Sequence, residues 1–233
     1  MVYLSSTGAA GSYAQAATNA AARVFLPGTT LGTGSVALWM RGSITAVARI
    51  VYVSADLTTS NSRLTVYVST SSGGMVGHLG SNASGSPSVH PTQTGLVPSD
   101  WTLIVGTIAH TASDIAGISA GGANRTTGTD GSPDTYGAGE YWRLFASNTT
   151  TQLWAGGIRS PAVWSRVLSD AEIAELHTLG PMHDLSVSSG DYSGGGPDHW
   201  WEGTGDSGTT VTDVGSVGGC DLTLNGGVTI EEA

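Results

Sequence analysis

Val163-Trp164-Ser165-Arg166-Val167-Leu168-Ser169-Asp170-Ala171-Glu172-Ile173 joins a strand to a helix with no slack between them. Leu153 to Val163 is an extended apolar stretch and reads as a strand. Ser169 then has the side chain of a helix N-cap, and Glu172, three residues on, can reach back to the Ser169 amide. Leu168 and Ile173 flank that cap at the spacing of a hydrophobic staple. The helix should stop near Leu179, because Gly180 can take the left-handed cap and Pro181 cannot continue the ladder. Ile173 and Leu176 form one apolar stripe, which suits a helix laid on the edge of a sheet structure.

Outward from this junction, extended segments dominate. Val2 to Leu4, Ala22 to Leu26, Ser35 to Arg41, Val47 to Ser54, Arg63 to Ser69 and Met75 to Leu79 read as strands. So do Trp101 to Ala109, Ile115 to Ala120 and Trp142 to Ala146. Leu64, Val66 and Val68 alternate cleanly with Thr65 and Tyr67, the period of a half-buried strand. Turn clusters separate the segments: Pro27-Gly28, Ser72-Gly73-Gly74, Gly121-Gly122 and Asp130-Gly131. Residues 181–196 are a looser connector rich in Ser and Gly, and strand character returns at His199-Trp200-Trp201 and Asp221 to Leu224. Many short strands with frequent turns suggest a sandwich.

Composition narrows the function classes. The chain has 233 residues, long enough for one large all-β domain that needs no disulfide. Its single cysteine, Cys220, allows no internal bridge. There is no lysine, and eight arginines face eighteen acids, for a net charge of −10. An acidic chain with no basic cluster argues against nucleic acid and against anionic membrane surfaces. No apolar run approaches a membrane span. The opening stretch MVYLSSTGAAGSYAQ has neither a basic n-region nor an apolar h-region, so export by the usual secretory route is not expected.

The 163–173 junction, preceded by Gly157-Ile158, resembles the closing motif of laminin-G-like and concanavalin-A-like jelly rolls. Ser35 to Arg41, with Trp39, resembles an early core strand of that family, and Asp100-Trp101-Thr102-Leu103 its mid-domain strand. The tail, Trp200-Trp201-Glu202-Gly203 through Thr210-Val211-Thr212-Asp213 to Leu222-Thr223-Leu224-Asn225-Gly226, resembles the way such domains begin, although here it lies near the C-terminus. The resemblance implies an all-β, antiparallel jelly-roll β-sandwich with one short helix, open to circular permutation. Residues 1–180 would form the laminin-G-like sandwich. Residues 181–233 would supply a connector and C-terminal strands, completing the same sandwich or a neighbouring subunit's.

The resemblance extends to bacteriophage structural proteins. It implies a non-catalytic virion component, a capsid decoration or tail-associated protein, assembled in the host cytoplasm. Its partners would be other virion proteins or further copies of itself as a homo-oligomer. The alternative is a lectin-like module, extracellular or displayed on a particle, that binds cell-surface or environmental polysaccharide, with calcium as an optional ion.

Catalytic chemistry is not written in the sequence. Related glucanases carry paired carboxylates as Glu-x-Asp-x-x-Glu on one strand, and no such run exists here. Glu172 is better explained as a cap. Gly203-Thr204-Gly205-Asp206-Ser207-Gly208 fits a dinucleotide pattern but precedes strand-like Thr209 to Thr212, so it reads as a turn. No zinc spacing is present, and each of the six histidines reads as a surface or edge residue. Calcium candidates are Asp130, Asp134 and Glu140, set against their reading as solvated loop acids. Asp213 is expected to brace a turn. Trp39, Trp101, Trp142 and Trp164 are expected in the core. Trp200 and Trp201 must point to opposite sides of a strand, so one could be buried while the other stacks on a sugar or a partner. Tyr136, Tyr141 and Trp154 complete the candidate contact residues for carbohydrate or a partner chain.

Overall fold

The period-two alternation of Leu64, Val66 and Val68 recurs along the chain and produces two antiparallel sheets with one apolar interior. The computed structural model describes residues 2–28, 31–55, 63–71, 74–81, 91–94, 96, 100–110, 114–130, 137–146, 152–192 and 195–232. In chain order the first elements are β1 (Val2–Thr7), β2 (Tyr13–Ala16), α1 (Ala20–Phe25), β3 (Gly34–Gly42), β4 (Ala48–Ser54) and β5 (Arg63–Ser69). Next come β6 (Met75–Ser81), β7 (Thr92–Thr94), β8 (Thr102–Ala109), β9 (Asp114–Ala120), β10 (Thr126–Asp130) and β11 (Tyr141–Leu144). The chain continues through β12 (Ala155–Trp164), α2 (Asp170–Leu179), β13 (His199–Trp200), β14 (Thr210–Val211), β15 (Leu222–Asn225) and β16 (Val228–Glu232).

The first sheet runs β10-β9-β8-β3-β12-β1-β16, with β13 also on β12. The second runs β14-β15-β2-β11-β4-β5-β6-β7. The tail packs on its own sandwich: β15 pairs with β2 and β16 with β1. Along the edge of β12 opposite β3, β1 covers Ala155 to Ile158 and β13 covers Ala162 and Val163. The start of the chain and its tail thus share one strand position, end to end.

Between the sheets lie Val36, Leu38 and Met40 of β3, Val51 and Val53 of β4, Leu64, Val66 and Val68 of β5, and Ile104 and Ile108 of β8. The alternate residues of the first sheet, Ala37, Trp39, Leu103, Val105, Ala162 and Trp164, are also buried. They meet Ile173 and Leu176 of α2, with Leu168, Leu185, Tyr192 and Trp200. The helix and the connector therefore roof the outer face of the first sheet, which makes this end of the molecule three layers deep.

α2 is built as its sequence expects. Ser169 accepts from the Glu172 amide at 3.2 Å, and the Glu172 carboxylate accepts from the Ser169 amide at 2.8 Å. Gly180 closes the helix at φ 80°. The expected strand Ala22 to Leu26 is instead part of helix α1. Ala20 to Ala22 favour a helix, and Ala21, Ala22 and Phe25 bury one side of the turn against β4, β11 and β12. Thr126–Asp130 and the short strands β2, β7 and β16 were not expected, whereas β14 falls within the strand-like stretch Thr209 to Thr212. Gly203, Gly205 and Gly208 occupy a turn-rich loop between β13 and β14 with φ 78–83°, and no helix follows them. No helix among the described residues is long and apolar enough to cross a membrane.

Candidate functional site

The tryptophans expected to meet a ligand are core residues. Trp154 is 1% exposed. Trp200 and Trp201 do point to opposite sides of their strand, but both sides are covered. Trp201 enters the sandwich interior, stacks on Trp142 with centroids 4.5 Å apart, and donates to the Cys220 carbonyl at 2.8 Å. Trp200 enters the layer beneath α2. A strand alternation identifies two faces but not whether a further element covers the second one.

A buried carboxylate anchors this region. The side chain of Asp213 accepts four hydrogen bonds: from His199 Nδ1 at 2.7 Å, Trp200 N at 2.9 Å, Gly215 N at 3.0 Å and Cys220 N at 3.1 Å. Burial pushes its pKa up, but the bonds from His199 and the amides, with the His199 charge, outweigh that and hold it below the ordinary value. His199, 2% exposed, is therefore an interior partner and not a surface histidine.

Of the three calcium candidates, only Glu140 has a described side chain. Asp134 lies outside the described residues, as does Tyr136, and for Asp130 only its place at the end of β10 is described. Glu140 has both oxygens occupied by donors: Arg23 on Oε1, and Asn19 Nδ2 on Oε2 at 2.9 Å. The Asn19 hydrogen bond, and then the Arg23 charge and hydrogen bond, hold its carboxyl below the usual range against the opposing effect of desolvation. Two N–H donors present the wrong polarity to a cation, so Glu140 does not fit a calcium ligand. Among the described residues no group of three acids, histidines or cysteines is placed to hold a metal.

Tyr141 lies on the outer face of the second sheet, half-buried beside Tyr52 and Arg143, which are 0% and 8% exposed. There Arg143 stands between Gln15 of β2 and Tyr52 of β4 in the strand register. Its guanidinium lies 4.2 Å from the Tyr13 ring centre and 6.0 Å from that of Tyr141, and its Nε donates to Gln15 Oε1 at 2.7 Å. Burial lowers the Arg143 pKa, while Tyr13, Tyr52 and Tyr141 act in the opposite direction. Tyr13, Gln15 and Tyr141 are each half-buried. On the neighbouring strand β4, Arg49 lies 5.2 Å from the ring of Tyr67 on β5. The face therefore carries planar aromatic, amide and guanidinium groups, held upright by cross-strand neighbours.

A second cluster occupies the uncovered end of the first sheet's outer face. Tyr3 and Trp101 meet edge to face with centroids 5.4 Å apart. The Arg41 guanidinium lies 4.9 Å from the Trp101 ring and 5.5 Å from Tyr3, and that of Arg159 lies 4.5 Å and 6.0 Å from the same rings. Gly157 leaves room for this meeting, because a Cβ there would sit 2.9 Å from Trp101 Cη2. Trp101, expected in the core, is thus only half-buried, at the boundary where the α2 roof ends.

No protein-family model matches the chain, and no curated protein matches it in sequence. Solved structures do resemble it. The native heptameric SAP-like pentraxin from Limulus polyphemus superposes with a TM-score of 0.56 at 13% identity, over 78% of this chain and 83% of that one. The fold is an antiparallel jelly-roll β-sandwich. The CBM40 of the Ruminococcus gnavus IT-sialidase, in a structure bound to α2,3-sialyllactose, matches at TM-score 0.51 and 15% identity, over 64% of this chain and 83% of that one. The Streptococcus pneumoniae NanB sialidase matches at 0.53 and 13% identity, with 70% of this chain covering 26% of that enzyme. At these identities the likeness concerns the jelly roll alone.

Sequence reading reached Tyr141 but missed its companions Tyr13, Gln15 and Arg143. The signal available was the alternation in Tyr13-Ala14-Gln15-Ala16, where small residues face inward and large polar ones outward. Nothing local identifies Arg143 or Arg159 as more than strand arginines. Their surroundings come from strands distant in sequence.

Proposed function

We propose that the chain is a non-catalytic carbohydrate-binding module that grips a glycan on the outer face of its second sheet. The observation that carries this reading is the Arg143 guanidinium framed by Tyr13 and Tyr141 and hydrogen-bonded to Gln15. Half-exposed tyrosine rings offer apolar faces to the C–H side of a sugar. The Gln15 amide group beside them offers donors to its hydroxyls, and Arg143, 8% exposed, holds the rings and that amide in place from below. The non-catalytic reading is supported by how the acids are used: Glu140 is held by Arg23 and Asn19, Glu172 by its cap, and Asp213 by His199 and three amides. None of these remains available as the acid or nucleophile of a glycosidase pair.

The jelly-roll likenesses support this reading ahead of the virion-structural one, to which they lend nothing. We read residues 1–180 and 181–233 as one binding unit, since the tail strands extend both sheets. Display on a particle assembled in a host cytoplasm, or in an extracellular setting, is compatible with such a unit, and fractionation distinguishes the two. The test of function is a glycan array on the full chain and on Tyr13→Ala and Tyr141→Ala. Binding weakened by about tenfold in each, from loss of one stacking ring, supports the site. Glycan binding unchanged in both variants refutes it.

A further inference from the structure

Arg159 is 2% exposed, yet only one of its three nitrogens has a good partner. Its Nε donates to the Val2 carbonyl at 3.1 Å. Its Nη1 meets only the Met182 thioether sulfur, at 3.9 Å, and its Nη2 is buried with no partner. Among the described residues neither Arg159 nor Arg41 forms an ion pair, whereas Arg23, Arg125 and Arg166 each do. In a chain with eighteen acids and eight arginines, two arginines stacked on the same two rings without a counter-ion are conspicuous. The end of a guanidinium is a planar pair of N–H groups whose natural complement is a carboxylate, bound through two parallel hydrogen bonds.

The surroundings give that complement a place. A depression of about 40 Å³ is lined by Arg159, Ser160, Met182, His183, Glu202 and Thr204. It has space for about three water positions, which suits a carboxylate and not a whole sugar ring. Ser160 stands at φ 45° in the bulge that shifts the β12–β3 register between Arg159 and Ala162. That bulge interrupts the pairing immediately after Arg159. Met182 is 60% exposed, and its flexible thioether is a poor acceptor that can swing away into solvent.

We propose that the Nη1–Nη2 edge of Arg159 is a carboxylate-binding fork for an acidic sugar, with the Met182 thioether as the group that the incoming carboxylate displaces. That the carboxylate belongs to a sugar rests on the carbohydrate-binding reading above; the fork itself rests on Arg159. Trp101 and Tyr3 lie against the guanidinium, and Arg41, against the same two rings, adds positive charge. Glu202, exposed on the rim, is the native charge that opposes an anion.

The experiment titrates the full chain at low salt with galacturonic, glucuronic and N-acetylneuraminic acid oligosaccharides, and with the methyl ester of each. At least one acid should bind about tenfold more tightly than its ester, the expected worth of a charge-assisted forked contact. Arg159→Gln should abolish that preference. Because Arg159 is buried, Met182→Ala and Glu202→Gln provide surface tests, and both should increase the preference for acid over ester. Unchanged preference in both, or equal binding of acid and ester in the native chain, overturns the fork while leaving the carbohydrate reading standing. Binding of acetate without binding of any sugar overturns the acidic-sugar assignment. If neither acids nor esters bind, the fork fails, and the array with Tyr13→Ala and Tyr141→Ala decides separately whether the carbohydrate reading fails too.

Discussion

Replacing Asp213 with asparagine preserves shape and removes charge, and the structure sets the consequence. An asparagine oxygen placed at Oδ1 keeps the bonds from Trp200 N and Gly215 N. Its amide group then faces His199 Nδ1 and Cys220 N, where Oδ2 accepted two bonds. His199 can change tautomer and accept, but the Cys220 amide cannot. One buried N–H is therefore left facing a donor, at a cost of about 1–3 kcal/mol. Loss of the charge-assisted His199 bond adds to this, and breaking a buried pair commonly costs about 3–5 kcal/mol in all. In a chain of this size, about 3 kcal/mol lowers Tm by roughly 6–12 °C. The acid limb should change as well. The folded pKa of Asp213 lies below its unfolded value of about 3.9. Its stabilisation is therefore fully present above the unfolded value and is lost as pH falls through the folded one. Thermal melts of Asp213→Asn between pH 2 and 7, by the order of those pKa values, should show a lower Tm at neutral pH and a smaller acid drop than the native chain. Amide hydrogen exchange should speed first at Cys220, whose acceptor is lost, ahead of Trp200 and Gly215, whose bonds are kept. A Tm within about 2 °C of native at neutral pH, less than 1 kcal/mol on the same scale, would refute the idea that this carboxylate anchors the tail.

Other expectations follow from single contacts. Ser169→Ala removes the acceptor for the Glu172 amide and should cost about 1 kcal/mol, read from chemical denaturation. Trp201→Ala empties the space beside Trp142 and should cost about 3–5 kcal/mol, with a changed near-ultraviolet tryptophan signal from the lost stack.

The helix α2 was legible residue by residue, because a capping box, a staple and a terminal glycine are local devices. The strands were legible where alternation is clean, as in Leu64 to Val68. α1 was misread because Ala22 to Leu26 carries β-branched and aromatic residues, and a six-residue helix is decided by what it packs against. The candidate site was only partly legible. Tyr141, Trp154, Trp200 and Trp201 were all chosen by residue type; Tyr141 lies half-buried on a sheet face, whereas the three tryptophans are buried.

From sequence alone came the sandwich class, the capped helix, the turn at Gly203 to Gly208 and the absence of a paired-carboxylate strand motif, since each depends on neighbours along the chain. Only the tertiary structure decided which faces meet solvent, that β13 and β1 share one edge of β12, and that Arg143 and Arg159 sit among aromatic rings. Those facts depend on pairings between residues far apart in sequence, and a strand's own period of two records that it has two sides without recording what lies against either.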